Sequence, residues 1–206
     1  MAIKHWEGPP LDAWHAWRPE QAAELLAGLT VPWCVVGGWA IDLWLGHETR
    51  THEDLEIAIL REDFAAVRAR LSAFALHSVS DGEVRLLAPD ALPPPESHQN
   101  WVLDTAADAW RMDVMLEPGD ADTWVFRRDE KIRAPRAEMI GSRHGVPYLK
   151  AAGALLYKAK ATTRPKDEAD FAACLPRLDE RSRLWLGGML ARVHPDHPWL
   201  APLSAR

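Results

Sequence analysis

Asp54 and Glu56 stand two residues apart in the segment Thr49-Arg50-Thr51-His52-Glu53-Asp54-Leu55-Glu56-Ile57-Ala58-Ile59. Side chains alternate between the faces of a strand, so this spacing predicts both carboxylates on one face while Leu55, Ile57 and Ile59 enter a core. Paired acids attract a cation. A hard divalent ion such as Mg²⁺ takes oxygen ligands, commonly one or two carboxylates completed by substrate phosphates, so the pair predicts a metal platform for phosphate chemistry. Just upstream, the apolar run Trp33 to Val36 reads as a strand that enters Gly37-Gly38 and then an apolar helix, Trp39 to Leu45, ended by Gly46. Glycines let the backbone approach a ligand closely, and the first N–H groups of a helix lack internal partners. Phosphate oxygens held there would reach the acid pair.

A dinucleotide-binding turn also sets glycines after a strand and an acid about 20 residues further on. Asp54 lies 16 residues after Gly38, but the third glycine of G-x-G-x-x-G is absent, and a ribose-binding acid needs no second carboxylate beside it. A solvated strand face explains many Asp-x-Glu pairs without explaining the glycines in front. A third acid lies in Trp110-Arg111-Met112-Asp113-Val114-Met115-Leu116. Met112, Val114 and Leu116 alternate with Arg111, Asp113 and Met115, which predicts a strand with Asp113 in its middle. A carboxylate buried in a sheet is costly unless paired or metal-bound. Either a neighbouring strand brings Asp54 and Glu56 to it, gathering three acids around cations, or Asp113 forms a salt bridge with Arg111 or another arginine.

These segments resemble the nucleotidyltransferase superfamily that includes DNA polymerase β, and within it proteins like aminoglycoside 2''-adenylyltransferase. The likeness rests on Gly37-Gly38, the helix carrying Asp42, and Arg50-x-His52-x-Asp54-x-Glu56. It extends to the Asp113 strand, Leu155-Leu156-Tyr157-Lys158-Ala159-Lys160 and Arg164-Pro165-Lys166-Asp167-Glu168-Ala169-Asp170-Phe171. The resemblance implies transfer of a nucleoside monophosphate, with AMP from ATP the expected case, from an NTP to a hydroxyl, with release of pyrophosphate and a requirement for Mg²⁺. On the same footing Asp54, Glu56 and Asp113 are the expected metal ligands, and Asp113 is also the expected general base for the attacking hydroxyl. Gly37, Gly38, Arg50 and Lys158 are expected on the nucleotide. Lys158 would neutralise charge as it moves to the leaving pyrophosphate, although by pattern alone it is an ordinary exposed helix lysine. The family usually carries Asp-x-Asp; here the second acid is Glu56, one methylene longer.

The expected fold is α+β, a nucleotidyltransferase-like mixed sheet with flanking helices. Residues 1–147 are read as the catalytic domain and 148–206 as a small C-terminal helical lobe. With 206 residues, 48% of them hydrophobic, the chain can bury a core of that size. Helical spacing recurs over Leu11 to Leu29 with a break near Pro19, over Glu62 to Ala75, Leu149 to Lys160, Pro165 to Leu175 and Ser182 to Val193. Val84 to Leu87, Trp101 to Leu103 and segments up to Phe126 read as strands, with a loop at Pro93-Pro94-Pro95.

No apolar run approaches the about 18 residues of a membrane span. The start, Met1 to Trp6 before Gly8-Pro9-Pro10, shows no signal-peptide core, and two cysteines make no disulfide framework. A reducing cytoplasm is the expected compartment. The net charge of −6 argues against nucleic acid as a partner. Residues 81–122 hold ten acids against Arg85 and Arg111, a local −8. Such a lobe would attract a small cationic hydroxyl acceptor such as an aminoglycoside-like amino sugar, unless it is simply a solvated surface. The basic stretch Arg127 to Arg143 is expected on the surface, the eleven Trp chiefly in the core, and His194-x-x-His197 in a turn. No G-x-S-x-G or H-E-x-x-H is present. The competing reading is a nucleotide-binding regulatory module, or a toxin–antitoxin-type module with a protein or nucleic-acid acceptor, or no catalysis at all.

Overall fold

Short apolar segments joined partly by helices and partly by turns form an eight-stranded mixed sheet in the computed structural model, which describes residues 6, 8–160 and 164–205. The expected absence of a signal core in Met1 to His5 lies outside the described residues. In chain order the elements are α1 (Pro19–Leu25), β1 (Trp33–Val35), α2 (Gly37–Leu45), β2 (Glu56–Leu60), α3 (Phe64–Arg70), β3 (Ala75–Ser80), β4 (Glu83–Leu86), β5 (Gln99–Asp104) and β6 (Ala109–Glu117). A separate two-stranded sheet follows, β7 (Thr123–Val125) with β8 (Arg133–Pro135), then α4 (Arg136–Met139), β9 (Ile140–Arg143) and β10 (Val146–Leu149). Four helices end the chain: α5 (Ala151–Lys158), α6 (Pro165–Cys174), α7 (Glu180–Val193) and α8 (Leu200–Ser204).

The sheet order is β4-β3-β5-β6-β2-β1-β10-β9, with β2 parallel to β6, β1 parallel to β10 and the remaining pairs antiparallel. Its two central strands read as the alternation demands. Ile57 and Ile59 on β2 and Met112, Val114 and Leu116 on β6 are fully buried in one cluster with Phe64, Val67 and Leu71 from the α3 region. Each such side chain contributes about 1.5–3 kcal/mol by leaving water. Asp113, Met115 and Glu117 take the intervening positions on β6 and so belong to the opposite face.

Three expectations about elements change. The helix expected from Leu11 begins only at Pro19, whose fixed φ suits the first helical position. Before it the chain runs extended beside β6, where His15 and Trp17 donate backbone hydrogen bonds to Trp110 and Arg111 and Trp110 donates to Ala13. These satisfy the stretch of β6 that β2 is too short to reach. The Glu62–Ala75 helix shortens to a 3₁₀ turn at Arg61–Asp63 and α3. Its tail leads into β3, a strand absent from the sequence reading although Asp81-Gly82, both at positive φ, form the two-residue hairpin loop to β4. An Asp-Gly pair is the residue signature of that loop. Finally, Gly37 and Gly38 are the first two residues of α2 and not a turn ahead of it. Among the described residues no helix is long and apolar enough to cross a membrane, and His194 to His197 form a turn as expected.

Candidate active site

Parallel pairing of β2 with β6 sets Glu56 directly opposite Asp113, the first rung of that ladder. The Asp113 backbone N–H donates to the Leu55 carbonyl at 2.8 Å, which fixes the register. Asp54 precedes the strand that the spacing assigned it to. β2 starts at Glu56, and Asp54 stands exposed in the approach to it, because the ladder with β6 reaches back only to Leu55. Asp113 is 3% exposed. Gln99 Nε2 donates to its Oδ2 at 2.7 Å and the Asn100 N–H to its Oδ1 at 3.1 Å. Burial, then the charge of Glu56, push its carboxyl up to about 7, with the Gln99 and Asn100 hydrogen bonds opposing and Asp54 adding to the rise. Glu56 is raised in turn by burial and by Asp54, while Lys158, Arg164 and Lys166 pull the other way. Arg111 pairs with Asp104 at 3.0 Å, so the salt bridge considered for Asp113 goes elsewhere.

The two glycines are needed for different neighbours. Gly37 has φ +67, and a Cβ there would run into the Glu56 carboxylate. At Gly38 a Cβ would fall 2.6 Å from His52 Nδ1 and against the Arg50 guanidinium. Behind the glycines lies a buried pair that the sequence reading quoted without assigning a role. His52 Nε2 is hydrogen-bonded to Asp42 Oδ2, and Asp42 Oδ1 accepts from Thr49 Oγ1 at 2.6 Å and Thr49 N at 3.1 Å. Burial works to raise Asp42, but the bonds from His52 and Thr49 outweigh it and hold the carboxyl below its usual range. The half-buried Trp39 ring lies 4.4 Å from the His52 ring.

Three cations share one acidic network on α6. Arg50 forms a two-pronged pair with Asp170, at 3.1 and 3.2 Å, and is thereby committed to α6. Lys158 is 7% exposed, not an open helix lysine, with Nζ 2.7 Å from Asp170 and 3.5 Å from Asp167. Arg164 closes the network on Asp167 at 2.8 Å.

Glu56, Gly37 and Lys158 line one cavity of about 140 Å³ between the sheet and α5. Arg127, Arg128, Arg136, Lys160 and Arg164 also face it, against the acids Glu56 and Glu117. The surface expectation for the basic stretch holds for Arg128, Lys131 and Arg133, which are exposed, and changes for Arg127 and Arg136, which are half-buried at this cavity. Glu117, unremarked in the sequence, accepts from Tyr157 Oη at 2.6 Å and lies 3.5 Å from Arg127 Nε. Its position on the Asp113 face was legible from the alternation of β6. The acidic stretch is less bare than its count implied: Asp104 pairs with Arg111, Glu83 with Arg85, and Glu117 with Arg127.

Residues 20–171 match the family model described as aminoglycoside-2''-adenylyltransferase. No curated protein sequence gives a match. Among solved structures, lincosamide antibiotic adenylyltransferase LnuA with lincomycin bound is similar at 13% identity and a TM-score of 0.52, over 75% of this chain and 92% of that one. ANT(2'')-Ia in complex with adenylyl-2''-tobramycin is similar at 16% identity and a TM-score of 0.53, over 84% and 95%. Both are likenesses of fold.

Proposed function

This chain belongs to the aminoglycoside-2''-adenylyltransferase family and is a nucleotidyltransferase, and on that premise we propose that it moves AMP from ATP to a hydroxyl of a small cationic antibiotic of the amino-sugar class, releasing pyrophosphate. The observation that carries this reading is the Glu56–Asp113 rung, with Asp54 close enough to raise both carboxyls. Asp54, Glu56 and Asp113 would hold Mg²⁺. The donors fit that ion: all are carboxylate oxygens, and the burial and, after it, the like charge that lift Asp113 are offset by a divalent cation. Among the described residues no three His, Cys, Asp or Glu side chains are grouped so as to hold a metal ion by themselves, so coordination would rest on the Glu56–Asp113 pair, a shift of Asp54 towards it, and substrate phosphates. When bound, Mg²⁺ supplies charge neutralisation and polarisation at the phosphates.

The chain's own groups divide the remaining work. Asp113, fixed by Gln99 and Asn100, takes the proton of the attacking hydroxyl at its carboxylate. Gly37 and Gly38 present the unpaired N–H groups at the start of α2 to the phosphate tail. Lys158 and Arg164 offset charge on the departing pyrophosphate. Arg50, held by Asp170, keeps the loop before β2 and the nucleotide side in register. In this division residues 1–147 carry the acids and 148–206 the lysine arm.

The deciding experiment incubates the protein with ATP, Mg²⁺ and a panel of amino sugars and a lincosamide, following pyrophosphate release and product mass. An adenylylated amino sugar supports the reading. An adduct on the lincosamide alone would move the acceptor to that class, and nucleotide binding without any adduct would favour the regulatory module.

A further inference from the structure

We propose that Trp101, clamped by the N-terminal segment of this chain, is the platform on which the acceptor ring stacks beside Asp113, and that it selects a cationic sugar ring over an anionic one. The inference rests on the functional reading above and deepens it.

Position comes first. On β6 Asp113 has two rung partners, Glu56 on β2 and Trp101 on β5. Side chains directly opposite on one face of an antiparallel pair hold their Cβ atoms about 4.5–5.5 Å apart. Gln99, two residues before Trp101 and so on the same face of β5, reaches the Asp113 carboxylate at 2.7 Å, which makes that face the Asp113 face. Glu56 and the glycines of α2, assigned to metal and phosphates, lie on the β2 side of Asp113. The β5 side is left for the molecule whose hydroxyl Asp113 deprotonates.

The ring is held in place from outside the family match, which begins at residue 20. Trp14 packs 5.2 Å from Trp101 at 76°, and Trp110 packs 5.2 Å from it at 68°. Trp14 is itself fixed by a bridge to Trp110 and by its indole N–H, which donates to the Leu11 carbonyl at 3.0 Å. Trp6 covers the neighbouring His77 at 5.1 Å. Trp110 is fully buried, whereas Trp14 and Trp101 keep part of their surface open. A clamped ring with open surface has little side-chain freedom left to lose on binding.

Chemistry then picks the ligand. The face of an indole carries negative potential and attracts an ammonium group within about 6 Å of its centre, and it also covers the apolar C–H face of a sugar ring. An amino sugar presents both. Arg111, two residues before Asp113 on the same face of β6, is committed to Asp104 at 3.0 Å and does not offer a counter-ion to a sugar phosphate.

The test is calorimetric titration of kanamycin, glucosamine and glucose-6-phosphate into protein holding Mg²⁺ and a non-hydrolysable ATP analogue, with ATP binding measured separately. The wild-type protein should bind the amino sugars in preference to the sugar phosphate. Trp101→Leu should weaken kanamycin about tenfold, Trp101→Phe should recover most of that loss, and ATP affinity should stay unchanged in both. A role in folding alone would lower the two affinities together and overturn the proposal. A second readout needs no variant to fold: in the wild type, bound kanamycin should shield Trp101 from oxidation by N-bromosuccinimide, located by peptide mass. Kanamycin that binds without shielding Trp101, shielding by ATP alone, or glucose-6-phosphate binding as tightly as kanamycin would overturn this inference alone. Failure of both amino sugars to bind would overturn the functional reading beneath it, and this inference with it.

Discussion

Glu56 and Asp113 face each other across two parallel strands, and the charge of the first, after burial, raises the proton affinity of the second. Fold and chemistry pull against each other at this rung. A buried carboxylate with a carboxylate neighbour is a cost to the apo protein and an asset to a cation-dependent one.

Asp113→Asn should therefore separate the two. Loss of the base should cut turnover by about 10²–10⁴-fold, with a smaller change in ATP affinity. At pH 8 without divalent cation the variant should melt at or above the wild-type temperature. A variant that keeps full turnover would sink the assignment of Asp113 as base.

The pH dependence of stability follows from the same residue. The fold favours protonated Asp113, so this contribution is complete below the ordinary carboxylate pKa of about 4 and is lost as pH rises through about 7. In chelator, the melting temperature should fall between pH 5 and pH 8 more steeply for wild type than for Asp113→Asn. Mg²⁺ added at pH 8 should recover part of the loss. Parallel curves for the two proteins would count against a buried ionising Asp113.

Gly37→Ala should displace the Glu56 carboxylate, since the new Cβ meets it, and should weaken Mg²⁺-dependent ATP binding at least tenfold. Gly28→Ala is the control. Gly28 also has positive φ, +80, but nothing lies within 4 Å of its would-be Cβ, so it should incur only backbone strain of about 1–2 kcal/mol and leave binding intact. Equal effects on binding would show that strain, not Glu56, matters at Gly37.

His52→Ala should leave Asp42 buried without its ring partner. Leaving a buried carboxylate without one of its hydrogen-bond donors costs about 1–3 kcal/mol, readable as a lower urea midpoint. His52→Gln, which can still donate to Asp42, should recover part of it. A midpoint unchanged in His52→Ala would mean that the Asp42–Thr49 bonds suffice.

Much of the site was legible before any coordinates. The alternation of Met112, Val114 and Leu116 announced the strand of Asp113, and the strand-then-helix order around Gly37-Gly38 was legible although the glycines open α2 and do not precede it. Three things were not. Asp54 has the spacing of a strand residue but lies outside the strand, because ladder length is set by the partner strand and not by local pattern. Lys158 has an unremarkable helical context, and its burial depends on Asp167 and Asp170 from another helix. The inward turn of Arg127 and Arg136 depends on how the β7–β8 hairpin packs, a relation between distant segments that charge runs do not encode.

The bidentate Arg50–Asp170 pair joins the loop before β2 to α6, with Lys158 on the same carboxylate. Positions 50, 158 and 170 are therefore tied through one carboxylate. A chimera that takes its helical lobe from a relative must bring a matching residue 50 with it, and a chain cut after residue 147 would leave Arg50 without its counter-ion.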